Sequence, residues 1–501
     1  PYYKYDQWMC SADLAAFCGL PRSLKGATTT LYELEVDKST RDNMSGKRWE
    51  EMSEEFQKEV DEYALKDSEL CLKLWQDLEG DWPAHERQIS LTNRRCVQRG
   101  IPIDTKLLLK QQKEIASRLF EAENCIPWID EFPPLSRKAF NEECHRVGLD
   151  PPASLALTDE DANKWIAENE EEYKWISAVR NYRRINSLKR KLESFEYATM
   201  GDDRYYGGIL YHGAHTGRFS GSGGNLNLQN LPRGEMFGVD LRSLIAPKKG
   251  RKLVVVDLSQ IEVRTLCWLA GDENTLEEIK DSDDIYEAFA VRFDKWDKSK
   301  GVLKEENPSL RHLVKTMVLG CGYSASAKKF AMISDMEETE AIKAVSLYRT
   351  KMNRVVSLWH KLQRELHVAY SLGEEFSIDL PSGRTLNYGK IKSAIQYGRR
   401  NYLALIAKGM KKVPVKLYGG LLSENASQAL ARDIFADILI RLEAKGLQTI
   451  FHVHDEVVIE TSASEAEDVL EAVVEEMRIP PKWISDIPLD AEGKVVDRYE
   501  K

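Results

Sequence analysis

The chain has 501 residues, of which 42% are hydrophobic and 30% are charged, and its formal net charge at pH 7 is −10. At roughly 150 residues per domain this length predicts about three structural units, and the composition excludes intrinsic disorder as the main state. There is no run of about 18 apolar residues and no signal-peptide pattern at residues 1–6, so we expect a cytoplasmic protein with no membrane partner. The eight cysteines form no CxxC pair, which argues against a zinc site and fits a reducing compartment.

Helical patterns dominate the first 200 residues. A long helix is predicted over residues 53–75, with Ser53 as its N-cap. Residues 80–83 break this pattern, and residues 84–195 are then mostly helical, with interruptions at turns that contain Pro or Gly. Residues 176–192 contain six basic side chains and no acidic one, which predicts either a solvated helix face or a surface that binds a polyanion.

Strands are predicted in the second half of the chain. Residues 201–238 are rich in Gly, Asn and Ser, and the apolar run at residues 252–257 then predicts a buried strand. Helices are predicted over residues 308–322 and 338–372, and residues 449–460 form two β-rich arms around a polar centre, which predicts a tight hairpin. Strands and helices without regular βαβ alternation favour an α+β fold.

A second segment without acidic residues runs from Leu380 to Ser423 and carries nine basic side chains with interleaved tyrosines. Such a segment alone is typical of a solvated face. Two of them in an acidic chain favour a surface that binds a polyanion, because phosphate contacts need Lys and Arg.

Two carboxylates occupy positions where strands are predicted to end. Asp257 follows the apolar strand, and Asp455 lies at the centre of the hairpin with Glu456 next to it. If the two strands pair, these carboxylates converge, and hard oxygen ligands without a His or Cys cluster favour Mg²⁺. The alternative is that each Asp is a turn residue.

The predicted helix between these carboxylates carries a stripe of three residues spaced four apart, Arg311, Lys315 and Leu319. Two cations on one stripe could hold a triphosphate, whereas the alternative is an amphipathic helix with solvated basic side chains. Gly320 and Gly322 weaken the end of this helix, which suits a hinge or a close approach by a ligand.

The order and spelling of these segments resemble a known family. Asp257-Leu-Ser-Gln-Ile-Glu-Val-Arg264, Arg311-x3-Lys315-x7-Tyr323 and His454-Asp455-Glu456 resemble motifs A, B and C of the family A DNA polymerases. Further similarities are Thr216-Gly-Arg218-Phe-Ser, Asn227-Leu-Gln-Asn230-Leu-Pro, the helix with Gln428, and Arg99-Gly-Ile-Pro-Ile-Asp104 at the start of the polymerase part. The resemblance covers about residues 84–501.

The resemblance implies an α+β right-hand polymerase fold, with an antiparallel palm sheet and helical thumb and fingers, preceded by the remnant of a ribonuclease H-like exonuclease domain. The implied divisions are the remnant at 1–83 and the polymerase at 84–501, with the thumb at about 84–200, the palm at about 201–270 and 420–501, and the fingers at about 271–419.

The implied activity is template-directed DNA synthesis from dNTPs with two Mg²⁺ ions on primer-template DNA. The protein is expected to be a monomer, and a processivity factor or another replisome protein is a candidate partner.

The implied catalytic residues are Asp257, Asp455 and Glu456, the first two being the metal ligands. The implied nucleotide-binding residues are Gln260, Glu262, Arg311, Lys315, Leu319 and Tyr323, and the implied DNA-binding residues are Arg218, Gln229, Asn230, Gln428 and His454. Glu262 is expected to favour deoxyribonucleotides by filling the space near the sugar C2′.

The chain departs from the family pattern at three positions. Leu319 stands where Phe or Tyr is usual, Ser324 where Gly is usual, and Tyr286 where bacterial members carry His. Residues 380–386 and the basic segment after them are more similar to phage members, which favours a phage or prophage source.

Tyr63-Ala-Leu-Lys-Asp67 resembles the last motif, YxxxD, of the 3′-5′ exonucleases that are joined to these polymerases. Tyr63 would orient the attacking water and Asp67 would bind metal. The other carboxylates of such a site have no counterpart pattern in residues 1–62, so we expect no proofreading by this chain alone unless an N-terminal segment supplies these ligands in cis or in trans. The alternative is an ordinary acidic helix.

Three other functions compete with this interpretation. A catalytically silent DNA-binding accessory protein would have no chemical reason to keep Asp257 and Asp455. A single-subunit RNA polymerase shares the palm and the Arg-x3-Lys helix, but Glu262 argues for a DNA polymerase. A nuclease that acts through Asp67 would lack its other ligands.

Overall fold

The structure is a computed structural model of the chain and describes residues 9–34, 37–157, 159–199, 201–221, 226–396, 398–408 and 411–500. The helices of the N-terminal 200 residues are α1 Ser11–Phe17, α2 Leu24–Tyr32, α3 Ser39–Met44, α4 Glu54–Leu78, α5 Ala84–Arg99, α6 Thr105–Glu123, α7 Arg137–Arg146, α8 Glu160–Asn169 and α9 Lys174–Ala198. The later helices are α10 Ile261–Leu269, α11 Glu273–Lys280, α12 Ile285–Arg292, α13 Leu303–Glu306, α14 Pro308–Cys321, α15 Ala327–Ser334, α16 Glu338–Lys351, α17 Asn353–Leu372, α18 Gly419–Ala444 and α19 Ala466–Arg478.

The strands are short and concentrated in the second half of the chain. They are β1 Ile101–Pro102, β2 Arg204–Tyr205, β3 Ile209–Leu210, β4 Ser220–Gly221, β5 Arg251–Leu258, β6 Glu375–Asp379, β7 Thr385–Lys390, β8 Lys392–Gln396, β9 Arg399–Lys408, β10 Lys411–Leu417, β11 Thr449–Val453, β12 Glu456–Ser462 and β13 Ala491–Val496. This mixture of helices and antiparallel strands is the predicted α+β class.

The central sheet has four antiparallel strands in the order β11-β12-β5-β13. Strand β5 is buried from Leu253 to Val256, because it lies between β12 and β13 and α19 packs against it. Its apolar run is therefore the hydrophobic strand that the sequence predicts. The C-terminal strand β13, for which the sequence gives no expectation, completes the sheet.

Helix α4 begins where the sequence predicts. The Ser53 hydroxyl accepts a hydrogen bond from the Phe56 amide at 3.3 Å, which satisfies one of the free N–H groups of the first turn. The segment at 338–372 instead forms two helices, because Met352 leaves the helical conformation (φ −104°, ψ 45°) between α16 and α17.

Four hydrophobic clusters stabilise the fold. One joins the central sheet with α5, α6 and α18, and a second lies among α10 to α17. A third holds α7, α8 and the start of α9 together, and a fourth joins α17 with β6, β7, β9 and β10. The first cluster also includes Leu14, Leu74 and Trp82, so the described part of residues 1–83 shares this core, and the Trp82 indole donates a hydrogen bond to the Tyr211 hydroxyl at 3.1 Å. The domain boundaries given above stay predictions.

Candidate active site

The carboxylates predicted to bind metal lie close together at one end of the central sheet, with Asp257 in β5 and Asp455 in the turn before β12. Glu456 pairs directly with Asp257 in the β12–β5 ladder, and the Leu258 amide donates to the Asp455 carbonyl at 3.1 Å. This hydrogen bond places Asp455 next to the end of β5, where Asp257 is located. Both Asp side chains are half-buried, so they face a part of the surface that solvent or a ligand can reach.

The hairpin that carries Asp455 has a two-residue turn, because Val453 pairs with Glu456. His454 takes the left-handed conformation there, with φ 57°, and its side chain is exposed. The buried Gln229 fixes this turn: its amide nitrogen donates to the His452 carbonyl, and its amide oxygen accepts from the His454 amide, both at 2.8 Å. In this structure Gln229 therefore holds the hairpin through both of its amide atoms.

Glu456 has a different environment from the two Asp residues. It is 1% exposed, and its carboxylate accepts a hydrogen bond of 2.6 Å from the Tyr499 hydroxyl. Burial and the negative charge of Glu456 raise the pKa of Tyr499, so the phenol stays protonated and donates. The described contact of Glu456 thus ties the β11–β12 hairpin to the C-terminal segment.

The two predicted triphosphate-binding cations meet on one aromatic ring. The Arg311 guanidinium lies 5.1 Å and the Lys315 ammonium 5.7 Å from the centre of the buried Tyr286 ring. Asp284 holds Arg311 with two hydrogen bonds, of 2.5 Å at Nε and 3.2 Å at Nη2. Burial raises the pKa of Tyr286 to about 12, so the ring is neutral and presents its π face to the cations.

Leu319 lies on the open side of the same helix. It is 46% exposed, whereas Val314, Val318 and Cys321 on the other side of α14 are buried in the second hydrophobic cluster. The helix ends at Cys321, so Tyr323 comes after its last turn.

Three predicted site residues converge at the start of α10. Arg218 donates a hydrogen bond to the Glu262 carboxylate, and the Tyr323 hydroxyl lies 3.5 Å from the other oxygen of Glu262. Tyr323 is also 3.4 Å from the Ser427 hydroxyl, and burial followed by the charge of Glu262 raises its pKa. Gln260, the residue before this helix, has a left-handed backbone with φ 46°.

Gln428 and Asn230 are the remaining predicted DNA contacts. Gln428 is half-buried on α18, where its amide donates to Glu424 at 3.3 Å, and Asn230 is exposed at the end of a short 3-10 helix. Their contacts with DNA stay predictions.

The YxxxD pair lies on α4, with Tyr63 and Asp67 one turn apart. Partial burial and a hydrogen bond to Asp67 raise the pKa of Tyr63. Within the described ranges there is no group of three or more His, Cys, Asp or Glu side chains placed to hold a metal ion. The exonuclease interpretation of this pair stays a prediction.

Sequence reasoning missed three residues of this site. Asp284 orients Arg311, Tyr499 donates to Glu456, and Ser427 lies beside Tyr323. Only Asp284 has a local signal, because it caps α12 two residues before Tyr286.

Comparison with known proteins decides the family. A model of DNA polymerase family A matches residues 108–377, which is more than half of the chain. This chain belongs to DNA polymerase family A. The DNA polymerase of Bacillus phage SP02 is 27% identical over 99% of this chain and 86% of its own length. The thermostable DNA polymerase I of Thermus aquaticus is 24% identical over 84% of this chain, and the match spans about half (49%) of that relative.

A solved structure has the same fold. The POL domain of Pol1 from M. smegmatis, determined in complex with DNA primer-template and dNTP, has a TM-score of 0.68 and 20% sequence identity, and the match covers 98% of this chain and 81% of that one. These comparisons confirm the predicted right-hand polymerase fold and the prediction of a DNA-directed DNA polymerase. Among the helices of the described ranges, none is long and apolar enough to cross a membrane.

Proposed function

We propose that this family A polymerase extends a primer by joining its 3′-hydroxyl to the α-phosphate of a dNTP at the end of strand β5. The observation that carries the proposal is the Leu258–Asp455 backbone hydrogen bond, which sets two half-buried carboxylates, Asp257 and Asp455, at one edge of the central sheet. Phosphoryl transfer requires positioning and charge neutralisation rather than a protein nucleophile, and carboxylates at this position would hold the cations that neutralise the phosphates.

The donor set fits Mg²⁺. Mg²⁺ in phosphoryl-transfer sites keeps several waters and is bound by one or two carboxylates together with substrate phosphates. Asp257 and Asp455 would hold two such ions, which would promote attack by the primer hydroxyl and stabilise the departing pyrophosphate. Divalent-metal dependence is general in family A polymerases, and the two residues named here are our assignment for this chain.

Arg311 and Lys315 would receive the triphosphate. Both cations are anchored on Tyr286, and Asp284 fixes the guanidinium fork, so their side chains are ordered before the nucleotide arrives. Pre-ordering of this kind lowers the entropy cost of binding. An Arg guanidinium can contact two phosphate oxygens at once, and a Lys ammonium offers a compact positive charge. Both side chains therefore suit triphosphate binding.

Glu262 would select the sugar. Its carboxylate is fixed between Arg218 and Tyr323, so it cannot easily turn away from an incoming nucleotide with a 2′-hydroxyl. Gln260, Leu319 and Tyr323 would complete the nucleotide site.

DNA primer-template and dNTPs are the proposed partners, as in the complex of the M. smegmatis polymerase domain. Arg218, Gln428, His454 and Asn230 would contact the DNA, while Gln229 would act by holding the turn that carries His454. We further propose a monomer that works in phage replication in the host cytoplasm, with residues 1–83 as an exonuclease remnant. Similarity to the phage SP02 polymerase supports the phage role.

Primer extension tests the proposal. A labelled primer on a defined template is incubated with the protein, all four dNTPs and Mg²⁺, with EDTA or rNTPs in parallel reactions. We expect template-dependent extension with dNTPs that stops in EDTA and is weak with rNTPs. No extension by correctly folded protein would contradict the proposal.

A further inference from the structure

The segment without acidic residues forms a small sheet beside the active-site core. Strands β8, β9 and β10 pair antiparallel in the order β10-β9-β8, and all three lie after the stretch matched by the family model, which ends at residue 377. The next residues begin α18, the helix that carries Gln428 and Ser427. The sheet is therefore joined directly to an element of the proposed active site.

One face of this sheet is covered by α17. Tyr402 and Ser393 belong to that face: the Tyr402 hydroxyl lies 2.5 Å from His367 Nδ1, and Ser393 lies 2.8 Å from the Tyr370 hydroxyl. Arg400, on the same face, stacks over the Tyr370 ring at 5.5 Å. Ala404 and Leu417 are buried in the fourth hydrophobic cluster, so this face is anchored.

The opposite face is exposed and basic. Lys392, Leu403 and Lys416 are cross-strand neighbours in one row, and Lys412 lies on the same face four residues before Lys416, because strand side chains alternate. All three lysines are exposed, and among the described residues none of their ammonium groups forms an ion pair with a carboxylate. From strand geometry, Lys392 and Lys416 are about 10 Å apart and Lys412 and Lys416 about 13 Å apart at their Cα atoms.

The composition of the outward face favours duplex over single-stranded nucleic acid. Surfaces that bind single strands combine basic groups with aromatic side chains on which bases stack. The described outward positions carry no aromatic ring. They are Lys392, Ala394, Gln396, Asn401, Leu403, Leu405, Ala407, Lys412, Pro414 and Lys416. The side chains of Arg399, Lys408 and Lys411 lie outside the described residues.

We propose that this outward face binds the phosphate backbone of duplex DNA without sequence preference, and that it holds the primer-template during synthesis. The 13 Å spacing along β10 corresponds to about four base steps of 3.4 Å, so the lysines can reach separate phosphates. Rigid anchoring on α17 means that binding needs no ordering of a loop. The proposal rests on the proposed function for the identity of the DNA, and it adds a contact surface outside the nucleotide site.

The test compares DNA binding by the full chain and by the variant Lys392→Gln/Lys412→Gln/Lys416→Gln. Affinity for a blunt duplex and for a single strand is measured by fluorescence anisotropy between about 50 and 200 mM salt. Each lost phosphate contact lowers the slope of log K against log[salt] by about 0.9 for a duplex. We expect the duplex slope to fall by about 2 to 3 and duplex affinity at low salt to fall about tenfold or more, with a smaller change for the single strand.

A charge-matched control separates a local contact from net charge. The variant Lys58→Gln/Lys66→Gln/Lys482→Gln removes three exposed lysines that lie outside the sheet. The triple Lys→Arg variant at 392, 412 and 416 should retain the wild-type slope. Thermal midpoints should agree among all variants, since none of these side chains is buried.

Two results would overturn the proposal: a duplex slope equal to that of the control triple variant, or a larger loss for the single strand than for the duplex. Single-turnover dNTP incorporation at saturating primer-template should be unchanged in the sheet variant, whereas the number of nucleotides added per binding event should fall. If even the wild type fails to extend primers, the proposed function fails, and the duplex binding slopes still decide whether this face contacts DNA.

Discussion

Arg218 forms an ion pair with Glu262, although the sequence motifs predict that the first residue contacts DNA and the second contacts the nucleotide. The Tyr323 hydroxyl approaches the same carboxylate from the end of the α14 segment. The proposed DNA and nucleotide sites therefore share one carboxylate, whose position depends on groups from a loop and from the predicted fingers.

This arrangement predicts the effect of removing the carboxylate. Glu262→Ala should open the space beside the sugar C2′ and raise the ratio of rNTP to dNTP incorporation efficiency, on the order of tenfold or more. Glu262→Gln is the matched control, because it keeps the volume of the side chain beside the sugar while it removes the charge that pairs with Arg218. Single-nucleotide kinetics with both nucleotide types measure the ratio, and an unchanged ratio in Glu262→Ala would remove Glu262 from sugar selection.

The strand-end carboxylates are expected to be essential for synthesis and dispensable for folding. Asp257→Asn and Asp455→Asn should each lower the extension rate by at least about a thousandfold, because each removes a charged ligand of the proposed ions. Asp335→Asn, at an exposed left-handed position that tolerates Asn, is the control. Pre-steady-state extension and thermal unfolding are measured together. Near wild-type extension by Asp455→Asn would contradict the assignment.

Much of the fold could be predicted from local signals. Ser53 caps α4, the apolar run of β5 ends at Asp257, and the arms around Asp455 form a two-residue hairpin, because each depends on neighbours in the sequence. The contacts that orient the site could not be predicted in this way.

These contacts join residues far apart in the chain. Gln229 reaches His452 and Tyr499 reaches Glu456 across separations of 223 and 43 residues. Such partners are chosen by tertiary packing and side-chain rotamers, for which the sequence carries no periodic signal. The break at Met352 is similar, because Met is a good helix former and neither Gly nor Pro follows it in the sequence.

Tyr286 is expected to act as a positioning residue for the two cations. Tyr286→Leu removes the ring that Arg311 and Lys315 contact, and the KM for dNTP should rise about 5- to 30-fold with a smaller change in kcat. Tyr286→Phe keeps the ring and should retain the wild-type KM. Steady-state kinetics measure the KM for dNTP of the wild type and both variants at a temperature where all three proteins are folded. Equal KM values for Tyr286→Leu and Tyr286→Phe would show that the ring does not position the two cations.

Acid should destabilise the protein through His452. This histidine is fully buried, with Nε2 3.1 Å from the Asn93 amide oxygen, and burial, aided by the nearby His454, lowers its pKa to about 3. Below pH 6.5 the unfolded chain takes up a proton that the folded chain cannot bind until about pH 3. The free energy of unfolding therefore falls as the pH drops through this window, by at most about 1.4 kcal/mol per pH unit for this group.

Urea unfolding at pH 7, 6 and 5 measures the effect. His452→Gln should lower the free energy of unfolding at pH 7. It should also reduce the fall in this free energy between pH 6 and pH 5, by at most the contribution of one titrating proton. His215, whose pKa burial lowers to about 4, remains in both proteins and contributes equally. Parallel pH profiles for the two proteins would show that His452 titrates normally.

Leu319 is expected to control the discrimination against dideoxynucleotides. Its position on α14, one turn after Lys315 and 46% exposed, places it on the open side of the helix and not in the hydrophobic cluster. A tyrosine there can extend into solvent without overpacking, so Leu319→Tyr should leave the thermal midpoint unchanged. Its hydroxyl could supply the hydrogen bond that the 3′-hydroxyl of a normal nucleotide makes and that a dideoxynucleotide lacks. We expect the discrimination against ddNTP to relax about 10- to 100-fold in Leu319→Tyr and to stay unchanged in Leu319→Phe, which has a ring but no hydroxyl. Competition between ddNTP and dNTP in primer extension measures the ratio, and equal ratios for the Tyr and Phe variants would place Leu319 outside the nucleotide site.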